Sequence, residues 1–200
     1  MATVSAEFFD RPPIVPVERL LTAADLAALP DELPSGPVHY ELDNGRLVTM
    51  APAGEPHADT QATIVAELMV QGQRRGHGKA YGEVGVILWK NPFRVVEPDA
   101  AFVKQSSLPV RTSAERYLET IPELIVEIRS KNDSKPYVVR KVADYLAAGV
   151  LLVWVVDPEE KSVSAHRLGT APKPLLVGDA LECEDLIPGF RLLLSDLFHG

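Results

Sequence analysis

The run VLLVWVVD, residues 150–157, constrains the fold more than any other stretch of this chain. Seven apolar residues follow one another before Asp157 and Pro158 end the run. A strand of this kind suits a sheet that is covered on both faces. Before it, residues 136–149 (PYVVRKVADYLAAG) read as a helix, with Pro136 near its start and Gly149 at its end. Before that, ELIVEIR (123–129) is a short, mostly apolar strand. Strand, helix and strand within about 35 residues make a βαβ unit, which predicts two parallel strands.

The remaining segments add antiparallel pieces. Residues 38–50, VHYELDNGRLVTM, alternate around Asn44-Gly45 and predict a hairpin with a type I′ turn. Thr22 and Asp25 resemble a capping box ahead of a short helix that Pro30 ends. Residues 56–76 predict a helix whose apolar stripe holds Ile64, Val65, Leu68 and Met69 and which stops at Gly76. KAYGEVGVILW (79–89) and VVEPDAAFV (95–103) each read as a strand region, and SVSAHRL (162–168) as an antiparallel return. Residues 104–121 form a polar connection, and the tail ends in a short apolar, helical segment. The fold class is α/β, a mixed β-sheet core flanked by helices.

Two hundred residues suffice for one well-cored domain and not for two comfortable ones. The proline-rich residues 1–20 read as an N-terminal arm, and 21–200 as a single domain. A net charge of −8 argues against bulk electrostatic attraction to nucleic acid or to an anionic membrane. A local grip on DNA through metal ions stays open. One cysteine, Cys183, excludes an internal disulfide and a multi-cysteine zinc site. With no signal-peptide pattern and no apolar run near 20 residues, the expected setting is cytoplasmic, without a membrane span.

Two acids stand out because they interrupt apolar strands. Asp99 follows Pro98 inside 95–103, where proline has no N–H to give to a ladder. Glu127 alternates with Ile125 and Arg129, opposite the face of Leu124, Val126 and Ile128. Each alone reads as readily as a structural acid, at an edge or paired with arginine, as it does as a functional one. Two on neighbouring strands repel each other and call for a cation, which a hard divalent ion supplies. Residues 129–141 carry Arg129, Lys131, Lys135, Arg140 and Lys141 against Asp133, a local charge of +4. This reads either as a solvated helix start or as a phosphate-binding surface beside the acids.

PD at 98–99 with EIR at 127–129 resembles the PD-(D/E)XK nuclease superfamily. The spelling around these residues resembles one branch, the Uma-two family of putative restriction endonucleases. The matching pieces are YELDNGRLVTMAP (40–52), His57, EPDAAFV, PELIVEIRS, KVADYLAAGV, WVVDP and LIPGF, in order over about residues 22–198. The resemblance implies a restriction-endonuclease-like fold and a metal-dependent endonuclease that hydrolyses DNA phosphodiester bonds. It places Asp99 and Glu127 as metal-binding acids for Mg²⁺ or Mn²⁺; the Ile128 carbonyl, directly after Glu127 in the chain, is the expected further oxygen ligand. Lys141 falls where this branch carries its lysine, on the helix, while Arg129 sits at the superfamily's usual lysine position. Glu41 resembles an additional acid near the site and also reads as a plain strand residue. His57 matches a family histidine and also reads as a helix-start hydrogen-bonder. Glu67 reads as a helix acid facing the metal or as a solvated one. The chain departs from the family at Tyr137, where an Asp is usual, and at Lys131, where a Pro is usual.

The rival reading is a binding or assembly module that keeps the nuclease fold without its activity. A two-carboxylate glycosidase lacks an aromatic platform near either acid, since Trp89 and Trp154 read as core. The apolar LLLSDLF near the C-terminus has little chain left to cover it, so a homodimer is expected.

Overall fold

The structure is a computed structural model that describes residues 19–34, 36–50, 54–109, 117–130 and 133–198. Most of the expected N-terminal arm, Lys131 and part of the polar connection lie outside the described residues. The chain opens with α1 (Ala23–Ala27), capped by the reciprocal bonds between Thr22 and Asp25 that the sequence predicts. A two-residue ladder follows, β1 (Glu32–Leu33) with β2 (Gly36–Pro37). Next come β3 (His39–Asp43) and β4 (Arg46–Met50), a hairpin turned by Asn44 at φ 52° and Gly45 at φ 78°. Both turn residues have positive φ, which is what the Asn-Gly pair supplies at low cost. Helix α2 (Glu55–Glu67) runs on as a wider π-type segment, Leu68–Gln73.

Four short strands follow: β5 (Gly78–Gly82), β6 (Val86–Lys90), β7 (Phe93–Val96) and β8 (Ala100–Lys104). Then come β9 (Leu124–Ile128), α3 (Lys135–Ala148), β10 (Leu152–Asp157) and β11 (Ser162–His166). The chain closes with β12 (Lys173–Leu175), β13 (Ala180–Glu182), β14 (Arg191–Leu193) and α4 (Leu194–Leu197).

The main sheet has the order β12-β11-β10-β9-β8-β5. Its β9 and β10 are parallel, as the βαβ reading requires, and its other pairs are antiparallel. Both faces are covered. Leu124, Val126, Leu152, Trp154 and Val156 pack with Ile64 of α2, with Leu68 of the π-type segment and with Leu194 and Leu197 of α4. On the other face, Ile125, Val153 and Val155 pack with Val142 and Tyr145 of α3. That double cover accounts for the apolar run from Leu152 to Val156, whereas Leu151, just before the strand, is exposed.

A second sheet, β4-β3-β7-β6, changes two of the strand expectations. Residues 79–89 are not one strand but two, β5 in the main sheet and β6 in the second, broken at Glu83 with φ 45°. Residues 95–103 likewise divide into β7 and β8, which belong to different sheets. Pro98 and Asp99 form the crossing between them. Proline ends a ladder by withholding its N–H, so here it marks the change of sheet rather than a flaw in one strand.

Two smaller corrections concern side-chain packing. Met69 is exposed although it fits the expected stripe. The LLLSDLF segment is largely covered within one chain, with Leu192, Leu194 and Leu197 buried in its core and Leu193 exposed, so it does not by itself call for a dimer. Among the described residues, no helix is long and apolar enough to cross a membrane.

Candidate active site

The change of sheet at Pro98 brings Asp99 to the end of β9. Ala100 pairs with Val126, so β8 stops short of Ile128, and the Asp99 side chain takes the place of the missing strand. Its Oδ2 accepts the Ile128 N–H at 2.6 Å. Its Oδ1 lies 2.8 Å from His57 Nε2, at the start of α2. Gln61, one turn further along α2, donates to the Asp99 carbonyl at 3.0 Å and fixes the backbone as well. The next N–H, that of Arg129 just past β9, donates to Val156 on the opposite side.

Glu127 projects to the α3 face. Helix α3 begins at Ser134, whose hydroxyl caps the Tyr137 N–H, and ends at Gly149 with φ 106°. This placement sets Tyr137, Lys141 and Tyr145 on one stripe at four-residue spacing. Lys141 Nζ lies 2.8 Å from Glu127 Oε2 and 3.0 Å from Glu41 Oε1. The Tyr145 hydroxyl donates to Glu127 Oε1. Lys141 is almost fully buried, and Glu41 is completely so. Burying charges is costly unless each is paired, and here each one is.

Glu41 comes from β3 and is held by four donors. Lys141 and the Glu97 N–H reach its Oε1, and Arg94 Nη1 and the Tyr137 hydroxyl reach its Oε2. Arg94, also buried, extends through its Nε to Asp144 of α3 at 2.9 Å.

These contacts set the protonation states. Burial pushes the Glu127 carboxyl up to about 7, with Asp99 and Glu41 adding to the rise against the pull of Lys141. Burial would also raise Glu41, but Lys141, the Glu97 N–H and Arg94 outweigh it and hold Glu41 below its usual range. Burial opposes the charged form of Lys141, yet Glu127, Tyr145 and Glu41 keep its pKa well above 10.5. The Tyr137 hydroxyl is pushed up to about 12 by burial and by Glu41, so it stays protonated as a donor. His57 loses some charge preference to burial and regains more from Asp99, which raises its pKa.

Asp99, Glu127, Ile128, Arg129, Tyr137, Lys141 and His57 line one cleft of about 720 Å³. Glu41 lies beneath it. Glu67 does not reach it; Gln71 donates to this acid at 2.6 Å on another part of the helix. Arg129 reaches the cleft but pairs with Asp157 of β10, not with Glu127. The expected basic surface is largely neutralised, because Arg140 pairs with Asp43 at 3.0 Å and Lys141 sits between two acids. Lys135 is exposed at the helix start, and Lys131 lies outside the described residues.

Sequence reasoning missed Arg94, Asp157 and the His39–Glu97 pair, which lines the same cleft at 3.0 Å. Arg94 carries the one available signal, a charged residue amid the apolar strand FRVV. The others depend on contacts between distant segments.

The fold is similar to that of a protein from Anabaena variabilis ATCC 29413, whose crystal structure is described as that of "a putative nuclease belonging to DUF820". The two share 19% sequence identity with a TM-score of 0.74, over 89% of this chain and 97% of that one. At this identity the likeness establishes the fold, a mixed sheet flanked by helices. No curated protein matches the sequence significantly. The sequence profile of the Uma2 family, described as "Putative restriction endonuclease", matches residues 24–195. That match covers nearly all of both sheets and every residue of the cleft named above, and the chain belongs to the Uma2 family.

Proposed function

We propose that this cleft hydrolyses DNA phosphodiester bonds with a divalent cation, Mg²⁺ or Mn²⁺. The observation that carries the reading is the convergence of Asp99, Glu127 and the end of β9 on one cleft, with the Lys141 ammonium 2.8 Å from Glu127.

The donor set fits a hard cation. Asp99 and Glu127 offer carboxylate oxygens to the cleft. In an extended strand a residue's N–H and C=O point to the same side. The Ile128 N–H is directed at Asp99, so its carbonyl faces that side too, beyond the end of β8. Among the described residues, no three His, Cys, Asp or Glu side chains gather as a metal cluster. Two carboxylates and one peptide oxygen therefore form the protein's share, which suits Mg²⁺, an ion that keeps several waters. When bound there, such an ion would supply positive charge that polarises the phosphate and favours ionisation of the attacking water.

The chain's own groups have separate tasks. Lys141 keeps its proton, so it acts as a fixed positive charge toward the phosphate or the nucleophile and not as a base. His57 and the Ile128 N–H hold the two oxygens of Asp99 in one orientation. Tyr145 and Lys141 do the same for Glu127. Val48, Pro56 and Val138 give the cleft an apolar wall that limits water around the reacting phosphate. Arg129, neutralised by Asp157, clamps β9 to β10.

A plasmid-cleavage assay tests the proposal, with Mg²⁺, with Mn²⁺ and with chelator, alongside Asp99→Asn and Glu127→Gln. Metal-dependent nicking that both variants abolish is the expected result. Metal binding without cleavage of any DNA would favour a non-catalytic binding module that retains the fold.

A further inference from the structure

Glu41 is the most enclosed acid of the site, with no exposed side-chain surface. Its Oε1 accepts the Lys141 ammonium and the Glu97 N–H, each at 3.0 Å. Its Oε2 accepts Arg94 Nη1 and the Tyr137 hydroxyl, each at 3.3 Å. A carboxylate has about four acceptor positions, and this one has four donors. Nothing is left over for a cation. Arg94 is fixed in turn by the Leu42 carbonyl at 3.1 Å and by Asp144 at 2.9 Å.

The donors come from three parts of the fold. Arg94 lies on β7, Glu97 lies on the crossing two residues before Asp99, and Tyr137 and Lys141 lie on α3. Glu41 therefore ties the second sheet to the crossing and to the helix. Lys141 is pulled by Glu41 on one side and by Glu127 on the other, which holds its ammonium between them. Without Glu41 the ammonium would keep a single acidic partner and turn toward it.

We infer that Glu41 is a positioning residue that aims Lys141 at the cleft, not a third carboxylate ligand for a cation, and that Tyr137 completes this clamp. Tyr137 brings a neutral hydroxyl to Glu41 Oε2. It adds a hydrogen bond to Glu41 without adding a negative charge beside it. The catalytic consequence rests on the nuclease reading; the assignment of Glu41 as clamp rather than ligand does not.

The test uses the full chain as wild type, Glu41→Gln, Asp99→Asn, Lys141→Met and the Glu41→Gln/Lys141→Met double variant. Calorimetric titration with Mn²⁺ alone reads the ligand role. Glu41→Gln is expected to keep the wild-type stoichiometry and an affinity within about twofold, while Asp99→Asn loses about tenfold or more. NMR of ¹⁵N-lysine reads the clamp. The Lys141 ammonium is expected to exchange slowly in the wild type and in Asp99→Asn, and rapidly in Glu41→Gln. In cleavage, Glu41→Gln should lower kcat by about a hundredfold with KM unchanged, and the double variant should be no slower than Lys141→Met alone.

A Glu41→Gln protein that loses Mn²⁺ as Asp99→Asn does would make Glu41 a ligand and overturn the inference. So would a double variant that falls well below Lys141→Met. If the wild type binds Mn²⁺ but cuts no DNA, the nuclease reading fails, and the titration and NMR arms still decide the role of Glu41. If Glu41→Gln does not fold, Tyr137→Phe takes its place. Faster exchange of the Lys141 ammonium in that variant supports the clamp, and unchanged exchange overturns it.

Discussion

The Lys141 ammonium lies 2.8 Å from Glu127 Oε2, with 5% of the lysine side chain and 14% of the glutamate side chain exposed. A helix and a strand thus deliver opposite charges to the inner edge of one cleft. Removing either charge leaves the other buried.

Lys141→Ala is therefore expected to affect stability as well as activity. Loss of one partner of a buried pair costs about 3–5 kcal/mol. Glu127 can take up a proton in response, since burial already pushes it to about 7, so a value near the lower end is expected. Urea unfolding measures this cost. Lys141→Met preserves the aliphatic stem and should unfold later than Lys141→Ala. Both should lose about a hundred- to a thousandfold in cleavage rate.

Arg129→Ala should behave differently. Its partner is Asp157, in a partly buried pair, with 27% and 15% of the two side chains exposed, linking the end of β9 to the end of β10. The expected cost is about 1–3 kcal/mol, with Mn²⁺ affinity unchanged. Thermal melting and calorimetric titration check the two halves of this statement. A large loss of metal affinity would instead make Arg129 a support for the metal-binding acids.

Metal binding should depend on pH through Glu127. Its folded pKa is raised from 4.5 to about 7, so between those values the metal-free folded protein holds a proton that the unfolded chain has released. Raising the pH through this window lowers the contribution of Glu127 to metal-free stability. The same proton competes with the cation, so affinity should rise by about tenfold per pH unit below 7 and level off above it. Calorimetry in buffers of different ionisation enthalpy should show proton release on binding at pH 6. Glu127→Gln should remove both effects.

The C-terminal segment should behave as core and not as an interface. Leu194 and Leu197 are buried against the main sheet. Leu194→Ala or Leu197→Ala should each cost about 2–5 kcal/mol. Neither should change the molar mass seen by light scattering. A variant that changed molar mass with little loss of stability would restore the case for an apolar tail at a dimer contact.

The local elements were legible in the sequence, each for a local reason. Thr22 and Asp25 cap α1 by their own side chains, and Asn44-Gly45 turns the hairpin through two residues with positive φ. The apolar run 150–156 implied a doubly covered strand, and the helix before it implied a parallel neighbour, β9. The alternation of Glu127 with Ile125 also placed that acid on the face that α3 covers. All of these depend on residues near one another in the chain.

What the tertiary structure alone decided is where separate segments meet. Pro98 signals the end of a ladder but not that β7 and β8 belong to different sheets; this follows from Val95 pairing with Leu42 while Ala100 pairs with Val126. The choice of Asp157 for Arg129, and of Glu41 as well as Glu127 for Lys141, was likewise made by packing. A buried charge takes whichever opposite charge the assembled core brings within reach, and reach across strands and sheets is not encoded in any local spacing.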